Sequence, residues 1–488
     1  MEMRMNRNLR KVAAVLAIAV FSVVLTVPAL AASDEPIEID DVWYVFDDTN
    51  MTATVTSTFE ENEGGYQINY TGDVVIPPYV EYDGRTYEVT EIGPGTFYAS
   101  VAHTLHIPET VVKVYADSFD GMVSLRSVTV DELNPALMSV DGVLYSRDMK
   151  ILWLYPRNKA MKDDFSGMLF EEYVIPEGVE EILTSFFHTD LKRLILPSTL
   201  KTAGAWAFAC ETLTEINLPD SMEHLYYRCF CGLEIESELR IPQTVTYIGD
   251  YCFERSRFTS IVLPENITCI GEGWFEDCYN LATVNLHEGI TKICARAFRC
   301  SVKDLKLPES LSELEENAFQ GIWTSAMVLP DGLKELPDNL FEYSSIRRVT
   351  LGNGIERIGS IFTNCGNIAD IYCPMETPPD IDSKNPLGLI GEYDIIGKVN
   401  VHVRKGCAQA YLDSPWKLVG PIIEDLTDGV NEVGDDMAIH DDELCEAYSL
   451  SGATVASRLR FGEVSNALPK GLYIIRTDSG KSEKIIVK

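Results

Sequence analysis

The sequence predicts a β-rich solenoid built from short parallel strands and turns, with about 22 residues in each coil. Three observations carry this prediction. A turn proline, or a residue in its place, recurs every 21 to 23 residues, an apolar–polar–apolar triplet precedes it, and a phenylalanine follows it eleven residues later. Because a unit this short cannot bury its own apolar face, neighbouring units must stack to make a continuous core.

Residues 1–31 have the pattern of a secretory signal peptide. Four basic residues precede an apolar run over 12–27, and Ala29-Leu30-Ala31 supplies a small-residue cleavage site. The alternative, a retained transmembrane anchor, needs about 20 uninterrupted apolar residues, and Pro28 ends this run early. We therefore expect an exported chain with no membrane span after the leader is removed.

Residues 32–71 predict a small N-terminal β cap. Residues 42–46 read Val-Trp-Tyr-Val-Phe, and the segment around them alternates between apolar and polar side chains. Alternation of this kind is typical of a strand with one buried face. We expect these strands to shield the first coil of the solenoid.

Each repeat places a short strand before the turn proline, which ends the strand because it cannot donate a ladder hydrogen bond. The repeats start at Pro77, Pro108, Pro176, Pro197, Pro219, Pro242, Pro264, His287, Pro308, Pro330 and Gly352. Apolar residues three and six positions later predict a second short strand. The repeat phenylalanines are Phe119, Phe187, Phe208, Phe230, Phe253, Phe275, Phe298, Phe319 and Phe341, with Phe362 one residue early.

The repeat consensus L-x-x-I-x-L-P-x-x-L-x-x-I-x-x-x-A-F-x-x-C resembles that of the BspA-like subclass of bacterial leucine-rich repeats. The resemblance implies a leucine-rich-repeat solenoid over 72–425, opened by a unit at 72–97 and closed by a cap over 371–425. It also implies a hairpin insertion near 131–172. The same resemblance implies adhesin-type roles, among them binding of extracellular-matrix proteins and coaggregation. It implies no catalytic residue in this chain.

The chain ends in two further segments. Residues 424–443 hold nine acidic residues and no Lys or Arg, so 426–444 predicts a solvated linker; a calcium loop is the alternative, although its acidic residues lack the D-x-D-x-D-G order. Residues 445–488 alternate like strands and predict a C-terminal antiparallel β domain. This segment resembles the sorting domain of type IX secretion cargo, which implies contact with secretion machinery; a plain β cap is the alternative.

The net charge of −35 excludes a nucleic-acid partner, because phosphate binding depends on clustered Lys and Arg. It also disfavours anionic lipid surfaces. The sequence lacks H-E-x-x-H, G-x-S-x-G, a P-loop and a dinucleotide fingerprint. We therefore predict a non-enzymatic protein with no cofactor, no metal site and no catalytic residue, secreted or held on the outer surface of a bacterium.

Six of the twelve cysteines recur at two positions of the repeat, which argues against a disulfide framework. Cys210, Cys278, Cys300 and Cys365 lie two or three residues after a repeat phenylalanine, where they act as small apolar residues. We expect mostly free thiols. Because Cys229 and Cys252 share one slot in neighbouring coils, a bridge between them is the expected exception.

The slot two residues before the repeat phenylalanine is the candidate binding position. It reads Trp206, Arg228, Tyr251, Gly273 and Arg296 in successive coils. Aromatic residues and Arg are enriched at binding hot spots, so Trp206, Arg228, Tyr251 and Arg296 predict a contact surface for an extracellular protein or glycan. Two alternatives remain: side chains that simply cover the coil edge, and a glycan-binding accessory protein or carbohydrate-active enzyme.

Overall fold

A computed structural model describes residues 35–58, 70–98, 100–159, 172–183, 186, 189–302 and 305–426, together with the backbone of four later strands. The predicted leader and most of the acidic segment lie outside the described residues. The chain divides into two compact units. The first comprises 1–121 and 130–135, and the second comprises 122–129 and 136–488.

The first unit is built on a five-stranded sheet and a separate parallel pair of strands. Its strands are β1 (Ile37–Ile39), β2 (Val42–Asp47), β3 (Thr52–Thr56), β4 (Thr71–Val75), β5 (Tyr79–Tyr82), β6 (Arg85–Ile92) and β7 (Val101–Ile107). The sheet has the order β1-β2-β3-β6-β5, and only β3 and β6 run parallel within it. Strand β4 pairs in parallel with β7. Alternation along β2 buries Val42, Tyr44 and Phe46.

The second unit begins with a hairpin. Strands β8 (Ser127–Val130), β9 (Leu137–Val140), β10 (Val143–Ser146) and β11 (Ile151–Leu154) come first along the chain. Strand β10 pairs antiparallel with both β9 and β11. Val143, Tyr145 and Leu152 from these strands are fully buried.

Most coils of the second unit contribute two short strands to parallel ladders. These strands are β12 (Glu172–Val174), β13 (Glu181–Ile182), β14 (Arg193–Ile195), β15 (Thr202–Ala203), β16 (Glu215–Ile216), β17 (His224–Leu225), β18 (Glu238–Arg240), β19 (Tyr247–Ile248), β20 (Ser260–Val262), β21 (Cys269–Ile270), β22 (Thr283–Asn285), β23 (Lys292–Ile293), β24 (Glu313–Leu314), β25 (Ala326–Val328), β26 (Glu335–Leu336), β27 (Arg348–Thr350), β28 (Arg357–Ile358), β29 (Asp370–Cys373), β30 (Asp380–Ile381), β31 (Asn400–Arg404) and β32 (Ile422–Leu426).

Strands before the turn residue form the ladders β12-β14-β16, β18-β20-β22 and β25-β27-β29-β31-β32. Strands after it form β21-β23-β24, β26-β28-β30 and the ladder in which β13, β15, β17 and β19 continue from β11. All strand pairs from β12 onward in these ladders are parallel. The second unit is therefore a β-solenoid, and the fold class predicted from the sequence is confirmed.

A column of stacked phenylalanines fills the core behind the ladders. Neighbouring rings from Phe186 to Phe362 lie 5.3 to 6.4 Å apart between centroids. Ring pairs of this kind contribute about 0.5–1.5 kcal/mol each beyond the burial of their area. One assignment needs correction: Phe186, one residue before the predicted position, supplies the ring that stacks on Phe208. Phe187 lies outside the described residues.

Two polar residues fall in a strand slot that is usually apolar, and the chain accommodates them differently. Thr324 is buried, and its hydroxyl donates to the carbonyl of Ala326 at 3.2 Å. Glu236 is exposed, while its neighbour Ile235 is buried in its place. Gly352, which replaces the turn proline, approaches the previous coil so closely that a Cβ would lie 2.2 Å from the carbonyl oxygen of Pro330.

The C-terminal end of the solenoid contains the helical segments of the described chain. These are α1 (Ala408–Leu412) and two 3₁₀ turns, Pro386–Gly388 and Pro415–Leu418. Trp416 is fully buried and its indole donates to the carbonyl of Pro379 at 2.8 Å. His402 lies between two carboxylates, with Nδ1 2.7 Å from Asp425 and Nε2 3.2 Å from Asp370. These contacts tie the last two strands of the β25–β32 ladder to the coil before them.

The last strands of the chain form a four-stranded antiparallel sheet. They are β33 (Leu444–Ser449), β34 (Thr454–Arg460), β35 (Gly471–Thr477) and β36 (Ser482–Val487), in the order β34-β33-β35-β36. All three neighbouring pairs run antiparallel.

Candidate binding surface on the turn column

The slot two residues before each repeat phenylalanine, called the turn column here, has the same backbone conformation in successive coils. Its φ angle is 59° at Trp206, 53° at Arg228, 57° at Tyr251, 61° at Gly273, 56° at Arg296, 63° at Asn317 and 58° at Asn339. This is the left-handed region, which Gly and Asn tolerate and other L-residues disfavour. The coil geometry therefore sets the conformation, whichever side chain is present.

Hydrogen bonding between coils explains the conformation. The backbone N–H of Trp206 donates to the carbonyl of Tyr227 at 2.9 Å, and that of Arg228 donates to the carbonyl of Asp250 at 3.1 Å. A left-handed residue other than Gly costs about 1–2 kcal/mol. Asn317 and Asn339 occupy the same slot in later coils, and Asn tolerates the left-handed conformation. Large side chains at 206, 228, 251 and 296 thus occupy positions where backbone conformation alone favours Asn or Gly.

Trp206 and Tyr251 of this column, together with Tyr227, meet around the guanidinium of Arg228. The guanidinium carbon of Arg228 lies 4.8 Å from the ring centre of Trp206, 5.2 Å from that of Tyr227 and 5.1 Å from that of Tyr251. Tyr227 packs edge-on against Trp206 and Tyr251, with centroids 6.1 and 5.9 Å apart. Trp206, Tyr227, Arg228 and Tyr251 form the aromatic–arginine cluster, in which cation–π attraction adds to ring packing.

A buried carboxylate holds the guanidinium in place. Nη2 of Arg228 lies 2.7 Å from Oε2 of Glu254, whose side chain is 8% exposed. Burial raises the pKa of Glu254, and the neighbouring Arg228 and Arg255 act in the opposite direction. Arg255 lies 3.6 Å from the other carboxylate oxygen. The cluster therefore has a fixed cation at its centre.

Tyr251 lies across the next coil, and Gly273 makes this possible. A Cβ at Gly273 would lie 2.3 Å from the Tyr251 ring, so any other residue would displace the ring. The Tyr251 hydroxyl donates to Oε1 of Glu272 at 2.8 Å. Its pKa is raised, first by burial and then by the Glu272 carboxylate. These contacts fix both ends of the side chain.

The structure brings Trp206, Arg228 and Tyr251 together and places Arg296 two coils beyond Tyr251. The first three side chains are half-buried and Gly273 is buried, whereas Arg296 is exposed. The difference comes from neighbours: Arg228 lies over the rings of Trp206 and Tyr251, and Tyr251 lies over Gly273. Sequence reasoning missed Tyr227, although its position beside Arg228 was the available signal.

Comparison with known families identifies the repeat. Six copies of the family described as BspA type Leucine rich repeat region match residues 86–139, 159–282, 226–323 and 270–380, which together span more than half of the chain. The chain belongs to this BspA-type family. It is a leucine-rich-repeat protein of the BspA type.

Solved structures similar to this BspA-type protein include three from bacteria. A leucine-rich repeat protein from Bacteroides ovatus is 20% identical, with a TM-score of 0.36 over 76% of this chain and 100% of that chain. A leucine rich cell surface protein from Faecalibacterium prausnitzii is 18% identical, with a TM-score of 0.40 over 81% and 96%. A leucine-rich repeat protein from Eubacterium ventriosum is 22% identical, with a TM-score of 0.35, and the match spans 52% of this chain and 65% of that chain.

The search of curated proteins gives no match.

Other candidate sites among the described residues are few. In the part of the chain that the structure describes, no group of three or more His, Cys, Asp or Glu side chains is placed to hold a metal ion. Over the same ranges, no helix has the length and apolar character needed to cross a bilayer. An open cavity of about 440 Å³ lies where Glu313 and Leu314 face Glu335 and Leu336. It sits at the gap between the β21-β23-β24 and β26-β28-β30 ladders.

The cysteines differ from the expectation in one respect. Cys229 and Cys252 are free and fully buried, and burial raises the pKa of both thiols. The expected bridge between them is therefore not formed in the structure. Instead, Cys269 and Cys294 bring their sulfur atoms to 3.3 Å across neighbouring coils. Cys229 and Cys252 occupy the same position in adjacent repeats and pack in the core. Cys269 and Cys294 occupy different positions in adjacent repeats.

Proposed function

We propose that this BspA-type protein is an exported, non-catalytic surface protein that binds a protein partner through its aromatic–arginine cluster. One observation carries the proposal: Trp206, Arg228 and Tyr251 occupy left-handed positions at which Asn317 and Asn339 stand in later coils. Large side chains in unfavourable backbone conformations cluster at functional sites. Trp, Tyr and Arg are also the residue types that dominate protein-binding hot spots.

Rigidity of the cluster supports a binding role. The guanidinium of Arg228 is held by Glu254 and surrounded by three rings, and Tyr251 is fixed at its hydroxyl by Glu272. Side chains that are already ordered lose little conformational entropy when a partner docks. The cluster therefore offers a preformed surface of amphipathic rings.

A protein suits this surface better than a sugar does. Stacking of a sugar requires an open aromatic face, and the guanidinium of Arg228 already lies over the rings of Trp206, Tyr227 and Tyr251. The remaining ring edges, with carboxylates such as Glu272 beside them, fit side chains that are apolar or cationic. Because the chain carries a net charge of −35, we expect the partner's contact surface to be neutral or basic.

A binding survey with the full chain tests this proposal. The purified protein is applied in parallel to a panel of immobilised extracellular proteins and to a glycan array. We expect saturable binding to a protein in the panel that weakens as salt is raised. Saturable binding to glycans alone would contradict the proposal and favour the glycan-binding alternative.

We further propose that the leader 1–31 directs export and that 445–488 acts as a sorting domain recognised by secretion machinery. Support comes from the leader's composition and from the antiparallel sheet formed by β33–β36 at the end of the chain. Fractionation of cells that express the chain with or without 445–488 tests the second statement. We expect the truncated chain to be lost from the surface; unchanged display would reject it.

A further inference from the structure

Cys269 and Cys294 form a contact that the repeat does not require. Their Sγ atoms lie 3.3 Å apart, although the residues belong to neighbouring coils. Strands β21 and β23 pair in parallel at this point, with Cys269 opposite Lys292 and Ile270 opposite Ile293. Both cysteines are half-buried, so small solutes reach them.

The other cysteines of the core differ in their accessibility. Cys229, Cys252, Cys278, Cys300, Cys365 and Cys373 are all buried. Burial raises the pKa of each of these thiols. A buried thiol with a raised pKa is inert, because the thiolate is the reactive species. Reactivity is therefore confined to few positions among the described residues.

We propose that Cys269 and Cys294 are a redox-active pair that closes to a disulfide between adjacent coils under oxidising conditions. A disulfide requires the sulfur atoms to approach to about 2.05 Å. From 3.3 Å, rotation of the two side chains is the movement that closes this gap. The backbone pairing of β21 with β23 already holds the two coils in register.

The hydrogen bond between the two thiols favours Cys269 as the first nucleophile. The pKa of Cys269 is lowered, chiefly by the hydrogen bond with Cys294 and also by the ammonium of Lys292. That ammonium is held in position by Glu313 at 2.6 Å and Glu315 at 2.8 Å. The pKa of Cys294 is raised by the same hydrogen bond and by burial. Cys269 therefore reacts first and Cys294 resolves the product.

The chemistry balances with a small disulfide as oxidant. The Cys269 thiolate attacks one sulfur of the oxidant, forms a mixed disulfide and expels one thiolate. Cys294 then loses its proton and attacks Sγ of Cys269, which forms the intramolecular disulfide and expels the second thiolate. The protein gives up two electrons and two protons, and the oxidant leaves as two thiols.

The position of the pair gives the bridge a structural role. The ladder that contains β19 ends there, and a new ladder, β21-β23-β24, begins at Cys269. Strand β21 is an end strand of this ladder and pairs with β23 alone within it. A bridge from Cys269 to Cys294 fastens that end strand covalently to β23, the strand of the next coil with which it already pairs.

Thiol counting on the full chain tests the proposal without any binding partner, so its outcome is separate from that of the proposed function. Reduced protein is freed of reductant, treated with oxidised glutathione, denatured, alkylated and mapped by mass spectrometry. We expect a cross-linked peptide containing Cys269 and Cys294, and loss of two alkylated thiols. If both cysteines remain alkylated, or if Cys269 keeps a stable glutathione adduct, the proposal is wrong.

Variants add a second readout. Cys294→Ser should stop at a glutathione adduct on Cys269, whereas the half-buried Cys407 offers a matched control, because Cys407→Ser should still form the bridge. Oxidised wild type should unfold at a higher urea midpoint than reduced wild type, and Cys269→Ser should show no such difference. Equal midpoints for the two wild-type forms would overturn the fastening role.

Discussion

Arg228 and Glu254 form an ion pair between neighbouring coils, with Nη2 and Oε2 2.7 Å apart and the carboxylate almost fully enclosed. The same guanidinium carbon lies about 5 Å from three aromatic ring centres, namely 4.8, 5.1 and 5.2 Å. The ion pair therefore orients the whole aromatic–arginine cluster. Loss of Arg228 leaves the buried Glu254 carboxylate with only the longer, 3.6 Å contact to Arg255.

Arg228→Ala should lower the free energy of unfolding by about 3 kcal/mol, because it removes the 2.7 Å partner of the buried Glu254 carboxylate and leaves only the 3.6 Å contact to Arg255. Urea denaturation followed by circular dichroism measures this change. Arg193→Ala is the matched control, since Arg193 is 47% exposed and pairs with the exposed carboxylates of Glu172 at 2.8 Å and Glu215 at 3.0 Å in neighbouring coils. Exposed pairs contribute about 0–1 kcal/mol. Equal losses for the two variants would contradict the central role of Arg228.

Stability should depend on pH through Glu254. Burial raises the pKa of Glu254 above its ordinary value of 4.5, so the folded chain binds the proton more tightly than the unfolded chain does. Ionisation therefore costs stability as pH rises from 4.5 through the raised value. Glu254→Gln cannot ionise. The unfolding free energy of wild type minus that of Glu254→Gln should fall across this range in urea titrations, and a constant difference would be inconsistent with the buried carboxylate.

Arg296→Asn should raise the free energy of unfolding by about 1 kcal/mol, because Arg296 is exposed and its φ of 56° suits Asn better than Arg. Arg347→Asn is the control, since Arg347 is also exposed and has no positive φ. It should change stability by less than about 0.5 kcal/mol. Thermal and urea unfolding compare the two, and a destabilised Arg296→Asn would show that the side chain has contacts that outweigh the backbone cost.

Phe253→Ala should lower the free energy of unfolding by about 4 kcal/mol, because it opens a cavity in the ring column. Phe253 is fully buried and stacks on Phe230 and Phe275 with centroids 6.0 and 5.9 Å away. Tyr279→Ala, at a side chain that is 55% exposed, should cost less than about 0.5 kcal/mol. Similar losses in urea unfolding would argue against the column as the core of the stack.

The repeat consensus predicted most of the fold, because its core positions recur with a constant spacing. Each recurring Phe therefore stacks on the Phe of the next coil. It also placed Trp206, Arg228 and Tyr251 in one column. The left-handed conformation of that column had a signal, since Gly273, Asn317 and Asn339 share the slot.

The repeat spacing could not predict contacts between residues that occupy different positions in their repeats. Cys269 follows its turn residue by five positions and Cys294 by seven, so slot matching paired Cys229 with Cys252 instead. The burial of Glu254 under Arg228 is likewise a contact between different slots of two coils.

The most direct test of the central claim is the affinity of the double variant Trp206→Asn/Tyr251→Asn for the protein identified in the binding survey. Asn suits both backbone positions, so the variant should stay folded while it loses the rings. The control is Trp323→Asn, at a tryptophan that is 62% exposed elsewhere on the chain. We predict that the dissociation constant of the double variant is at least 100-fold higher, which corresponds to a loss of about 2.7 kcal/mol or more of binding free energy. The control should bind with unchanged affinity. Unchanged affinity of a folded double variant would contradict the account.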